Sequence, residues 1–140
     1  MKPNTMTEKV TLEIAPDGGY RILDGRTCDR MTPRELLLLA AARCAAETAL
    51  MIMHKEQLTP RHFEITSSGS LTDEAAPIEP SFGSFHLVYR IECASEEEQA
   101  KAGRAVRLTQ EKYCGMVRML ARIGPVTHET AVVTTQPAGA

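Results

Sequence analysis

Cysteine is the residue type in this chain best suited to covalent chemistry, and four stand at Cys28, Cys44, Cys93 and Cys114. A thiolate attacks electrophilic oxygen or sulfur, and a second thiol within reach traps the product reversibly as a disulfide. No Cys-x-x-Cys spacing occurs, which excludes a thioredoxin-type motif, and Cys44 and Cys114 lie half the chain apart, so tertiary structure must assemble any working pair. At helical spacing Cys44 shares a face with Leu37, Ala40, Ala41, Glu47, Thr48 and Met51. In this mostly apolar setting a thiol is inert unless a cation arrives from elsewhere in the fold. Cys114 has Arg107 two turns before it and Arg118 one turn after it, cations that favour a thiolate unless Glu111 and water absorb them. Tyr113, Val117 and Leu120 form the adjoining apolar stripe, so Cys114 is expected at the edge of a buried face. For either cysteine the alternative is a core thiol, since free cysteine is among the most buried residue types. Cys93, which closes a strand-like run, and Cys28, in a charged loop, are read as incidental.

Other chemistry is sparse. His54 lies about 15 Å along the helix axis from Cys44, too far for a Cys-His dyad on one helix. His62, His86 and His128 are singletons without metal-ligand spacing, and no G-x-S-x-G, phosphate-binding or dinucleotide signature appears, so neither a metal nor a cofactor is expected. The net charge of -2 and the absence of Trp disfavour nucleic acid as a partner. The opening residues MKPNTMTEKV contain no apolar run long enough for a signal peptide, and no uninterrupted stretch of about 18 apolar residues offers a membrane span. A cytoplasmic protein with no membrane partner is the expectation.

The elements that must position these thiols are legible in outline. With 140 residues, 43% of them hydrophobic and 24% charged, the chain fits one domain over residues 1–140. Val10 to Ile14 alternates as a strand, Pro16-Asp17-Gly18-Gly19 turns, and Tyr20 to Leu23 returns, which predicts a hairpin. Asp24 to Met31 reads as a loop. Thr32-Pro33-Arg34-Glu35 combines an N-cap, a first-turn proline and a capping-box glutamate, predicting a helix to about Gln57, ended by Leu58-Thr59-Pro60. From Leu36 to Ala42 that helix is apolar all round, which predicts cover from one sheet and from a second subunit. Phe63 to Leu71 and Ser84 to Cys93 read as strands joined by the loop Thr72 to Pro80. Ser95-Glu96-Glu97-Glu98 starts a second long helix running to about Ile123, and Val126 to Thr135 reads as a closing strand, with Gln136 to Ala140 a frayed tail. The result is an α+β order, β-β-α-β-β-α-β, with two long helices on one face of an antiparallel sheet.

Residues 32 to 44, Thr-Pro-Arg-Glu-Leu-Leu-Leu-Leu-Ala-Ala-Ala-Arg-Cys, resemble the Ser-Pro-x-Glu-Leu-Leu-Leu-x-Ala-x-x-x-Cys opening of the central helix in OsmC/Ohr proteins, the osmotically inducible and organic hydroperoxide resistance family. Glu111-Lys112-Tyr113-Cys114 resembles the segment around their second cysteine. The resemblance covers nearly the whole chain and is nearest the short OsmC-like branch. It implies an OsmC-like fold and an intertwined homodimer whose two active sites are each built from both chains. It implies further that Cys44 attacks a peroxide, an organic hydroperoxide or hydrogen peroxide, as a thiolate, that Cys114 resolves the sulfenic acid as a disulfide, and that a lipoyl or other dithiol reopens it.

In the hydroperoxide resistance branch an acidic residue follows the helix-start proline and, with an N-terminal arginine, activates the thiolate. Here Arg34 holds that position and Glu35 the next, so Glu35 is the candidate acid, while Arg21, Arg26 and Arg30 are the candidate cations, Arg21 preferred because a strand would hold it rigidly. Gly115 follows the second cysteine. The alternative reading is a non-peroxidase relative that binds a small apolar or electrophilic ligand, or senses redox state, at the dimer interface.

Overall fold

Thr32 starts the longest helix as its chemistry requires. In the computed structural model, which describes residues 6–72 and 80–135, the Thr32 hydroxyl accepts the Glu35 N–H at 3.1 Å and the Glu35 carboxylate accepts the Thr32 N–H at 2.9 Å. Helix α1 runs Pro33–Lys55. It ends in a Schellman turn, with the Leu58 N–H on the Met53 carbonyl at 2.8 Å, the Gln57 N–H on the His54 carbonyl at 3.0 Å, and Gln57 in the left-handed region at φ 61.

The strands are β1 Thr7–Ile14, β2 Tyr20–Ile22, β3 His62–Leu71, β4 Phe82–Cys93 and β5 Val126–Thr134. They form one sheet in the order β2-β1-β3-β4-β5. Alternation decides the faces: Val10, Leu12, Phe63, Ile65, Leu87 and Tyr89 are buried against the helices, while Thr11, Glu13, Glu64, Thr66 and Arg90 face outward. The first four strands pair antiparallel, but β5 runs parallel to β4, so the expected antiparallel sheet is mixed at one edge. The reason is the intervening helical segment, a crossover long enough to return the chain in the same direction.

The second helix also differs from expectation. Instead of one run to about Ile123, α2 spans Glu96–Leu108, a π-helical turn spans Thr109–Tyr113, and α3 spans Gly115–Leu120. All three pack on α1. The predicted all-round burial of α1 holds for Leu38, Leu39, Ala41 and Ala42, whereas Leu36 is 37% exposed and Ala40 also faces outward. Contrary to the expectation that nothing here could span a bilayer, α1 is long and apolar enough by length and composition; half of its most apolar stretch is buried within the fold. The helix serves as the apolar spine of the core. Gly124 is required where α3 hands over to β5, because a Cβ there would lie 1.9 Å from the Gly83 carbonyl oxygen. Most of the loop expected from Thr72 to Pro80, and the tail expected from Gln136, lie outside the described residues.

Candidate active site

The break in the second helix is what turns Cys114 inward. The Thr109 hydroxyl donates to the Ala105 carbonyl at 2.8 Å, and the chain then widens so that the Cys114 N–H reaches the Thr109 carbonyl at 3.0 Å. Cys114 itself is extended, at φ -84 and ψ 110, before α3 begins at Gly115. Its side chain is fully buried, not at the accessible edge that an unbroken helix would have given it, and Arg107 and Arg118 both lie on the exposed side. Cys44, halfway along α1, is the partly exposed member. The two sulfurs are 3.3 Å apart. A disulfide would need about 2.05 Å, so the pair is a dithiol at contact distance, close enough to form a bond after a small movement.

Burial pushes the Cys114 thiol well above the ordinary thiol range; the S–H contact with Cys44 and the charge on Cys44 raise it further, against a downward pull from the backbone N–H groups of Val117 and Met116. Cys114 therefore holds its proton and donates toward Cys44. That assigns opposite roles within the pair: a protonated, enclosed sulfur beside one that accepts a hydrogen bond and meets solvent. Tyr89 of β4 closes the same region from the sheet side. It is fully buried, its hydroxyl donates to Gln110 Oε1 in the π-helical turn, and burial, then the charges of Cys114 and Cys44, hold the phenol protonated.

The other candidate residues lie elsewhere in the protomer. Arg21 sits on the outward face of β2, bonded to Glu13 at 2.8 Å and 67% exposed, so the sheet stands between it and Cys44. It lies in a strand, but the alternation of strand faces sends it to the wrong side. Glu35 caps α1 about 13 Å along the axis from Cys44. It is held by Arg26, which also bonds Asp24. The Thr32 N–H, then Arg26, keep the Glu35 carboxyl below the usual carboxylate range. Of the three candidate arginines, Arg26 is thus the one joined to the candidate acid. Arg34 pairs with Glu8 at 2.9 Å, and Arg30 is exposed. Cys93 is buried and Cys28 exposed.

Sequence spacing missed one cluster. Glu13 and Glu64 are directly opposed on β1 and β3, and His62 joins them, 3.8 Å from Glu13 and 2.9 Å from Glu64. These three could offer donors to a cation, although in linear spacing His62 is a singleton. Strand register, invisible in linear spacing, brings them together. Arg21 already engages Glu13, and His62 engages Glu64, so the donors are satisfied within the protein. On the helix side, a cleft of about 420 Å³ lies two turns on from Cys44, lined by Met51, Ile52, Lys55, Glu56, Leu108 and Tyr113.

The family model for OsmC-like proteins matches residues 26–129. The chain is 31% identical to the protein YhfA of Escherichia coli K12 over 117 residues, covering 82% of this chain and 84% of YhfA. Among solved structures, a hypothetical protein from Aquifex aeolicus VF5 superposes with a TM-score of 0.65 at 18% identity, covering 96% of this chain and all of that one. An OsmC-like hydroperoxide resistance protein from Jannaschia sp. CCS1 gives the same TM-score at 10% identity, covering 85% and 88% of the two chains.

Proposed function

This chain belongs to the OsmC-like family, and on that premise we propose that it is a thiol-dependent peroxidase acting on organic hydroperoxides. The observation that carries the reading is the 3.3 Å approach of Cys44 and Cys114. The Cys44 thiolate attacks the terminal peroxide oxygen, the O–O bond breaks, and the alkoxide leaves as an alcohol after taking a proton. Cys44 is now a sulfenic acid. The Cys114 sulfur attacks the Cys44 sulfur, the S–S bond forms, and the hydroxyl departs with the Cys114 proton as water. A dithiol, lipoyl or similar, then supplies two electrons and two protons to restore both thiols. Hydrogen peroxide is the smaller substrate of the same step.

A cytoplasmic homodimer completes the proposal. Leu36 and Met51 on α1, Tyr113, and Met119 and Ile123 at the end of the helical segment are large apolar side chains 37% to 60% exposed in the protomer, surface that a second copy would cover. A partner chain is also the source from which an activating cation could approach Cys44, since Arg21 faces away and Arg26 is tied to Glu35. The second reading, an apolar or electrophilic ligand held beside the thiols, draws on the cleft at Met51, Ile52, Leu108 and Tyr113.

The deciding experiment follows consumption of an alkyl hydroperoxide and of hydrogen peroxide by the reduced protein with dihydrolipoamide, comparing wild type, Cys44→Ser and Cys114→Ser. Turnover lost in Cys44→Ser, and over-oxidation in Cys114→Ser, is the expected result. Turnover no higher than a double-serine control would remove the peroxidase reading and leave the ligand reading.

A further inference from the structure

Two features around the thiol pair have no part in the chemistry just set out: a fully buried tyrosine, and a helix that widens for one turn immediately before the second cysteine. They are joined by a hydrogen bond. Tyr89 projects from β4 toward the helices, and its hydroxyl donates to the side-chain oxygen of Gln110. Gln110 is the second residue of the π-helical turn Thr109–Tyr113 that ends at Cys114. The turn is anchored at its start by the Thr109 hydroxyl on the Ala105 carbonyl and at its end by the Cys114 N–H on the Thr109 carbonyl. Between those points, Tyr89 is the tie that reaches it from the sheet. The ring of Tyr89 is itself fixed, buried and edge-on to His128 with centroids 6.4 Å apart.

A π-helical turn is rare, occurs mostly as a single-turn bulge inside an α-helix, and is frequent at functional sites. Without a tie it would relax toward α-helix, rotating Cys114 toward the helix surface and away from Cys44. The phenol is suited to the task because it stays protonated in its buried setting and so remains a donor to an amide oxygen.

We propose that Tyr89, acting through Gln110, is a positioning residue for disulfide closure: it holds the π-helical turn in the form that keeps Cys114 in contact with Cys44. The role rests on the two-cysteine reading above, yet it belongs to the second step. It sets the rate at which Cys114 displaces the group carried by Cys44, and touches the first encounter of Cys44 with an oxidant only through the weak S–H contact from Cys114.

Glutathione disulfide separates the steps without peroxide. Cys44 thiolate displaces glutathione thiolate and forms a mixed disulfide; Cys114, losing its proton, then attacks the Cys44 sulfur, forms the intramolecular disulfide and releases a second glutathione. Quenched-flow alkylation and intact-mass spectrometry read both steps in wild type, Tyr89→Phe, Gln110→Leu and Gln110→Glu. In Tyr89→Phe and Gln110→Leu, closure should slow about five- to tenfold, the factor corresponding to one lost hydrogen bond, while mixed-disulfide formation stays within about twofold. Gln110→Glu keeps an acceptor for the tyrosine and should restore most of the closure rate. A merely structural role would slow both steps together and would not be rescued by Glu.

Closure within about twofold of wild type in Gln110→Leu would overturn the proposal, as would equal slowing of both steps. If Tyr89→Phe does not fold, Gln110→Leu and Gln110→Glu decide by the same criteria, because Gln110 is only half-buried. A protein that reduces no peroxide, yet closes slowly only in these variants, would overturn the peroxidase reading and leave the role of Tyr89 standing.

Discussion

The two faces of one sheet carry opposite kinds of chemistry, and the same strands supply both. Inward, Ile65 and Tyr89 are neighbours across β3 and β4 and fully buried, and Tyr89 lies beside a pair of thiols. Outward, one residue along, a rung of charge crosses four strands as Arg21, Glu13, Glu64 and Arg90. On the inner side burial itself holds Cys114 and Tyr89 protonated. On the outer side water screens each ion, and exposed pairs contribute little to stability. The difference teaches that protonation state here follows enclosure rather than the density of charged side chains.

The largest expected effect falls on the inner face: Cys44→Ser should reduce dithiol-dependent peroxide consumption to the background of the double-serine protein. Next, Leu38→Ala, which empties a fully buried position on α1, should destabilise the fold by about 3 kcal/mol in urea denaturation, whereas Thr66→Ala on the outer face should change it by less than about 1 kcal/mol.

The faces should also part company with pH. Glu13 lies below its ordinary value of 4.5, chiefly through the hydrogen bond from Arg21, so its contribution is present above that value and is lost as pH falls through the folded one. Cys114 lies above its ordinary value of 9.0, chiefly through burial, so its contribution is present below 9.0 and is lost as pH rises toward the folded value. Thermal melts should therefore show an acid limb flattened by Glu13→Gln and an alkaline limb flattened by Cys114→Ser. An alkaline limb identical in Cys114→Ser would mean that the thiol is not enclosed as described.

The smallest effect, and the sharpest for the comparison, belongs to Arg21→Ala. It should move the melting temperature by no more than about 1 °C and leave peroxide turnover unchanged. A large fall in turnover would show that this arginine reaches a thiol after all.

Local chemistry made much of this architecture legible. The capping residues Thr32, Glu35 and Ser95 mark helix starts because they satisfy backbone donors within their own turn. Alternation in β1, β3 and β4 gives their faces. What stayed hidden depends on partners distant in sequence. Nothing in Thr109-Gln110-Glu111-Lys112-Tyr113, which contains neither Gly nor Pro, signals a break; the distortion is maintained by contacts such as that from Tyr89. An unbroken helix would put Cys114 at an accessible edge beside Arg107 and Arg118, whereas it is the more enclosed of the two thiols. Residue type and motif single out the cysteines, and their contact comes only from the packing of the helical segment on α1. Arg21 illustrates the converse: it lies in a strand as its sequence predicts, and its outward facing follows from alternation between the inward Tyr20 and Ile22.

The strand order has a kinetic consequence. β1 with β2 and β3 with β4 pair as sequence neighbours, but Thr11 and Thr66, bonded across β1 and β3, are 55 residues apart, and His86 and Thr127, bonded across β4 and β5, are 41 apart. Those contacts raise the contact order of the fold, and loop-closure entropy opposes them until the helices between have compacted. The β1–β3 and β4–β5 ladders should thus form after the β3–β4 pair on the path to the native state. Until they do, the outer edges of β3 and β4 present open rows of backbone donors and acceptors, the surface on which a partly folded chain would add to another like it.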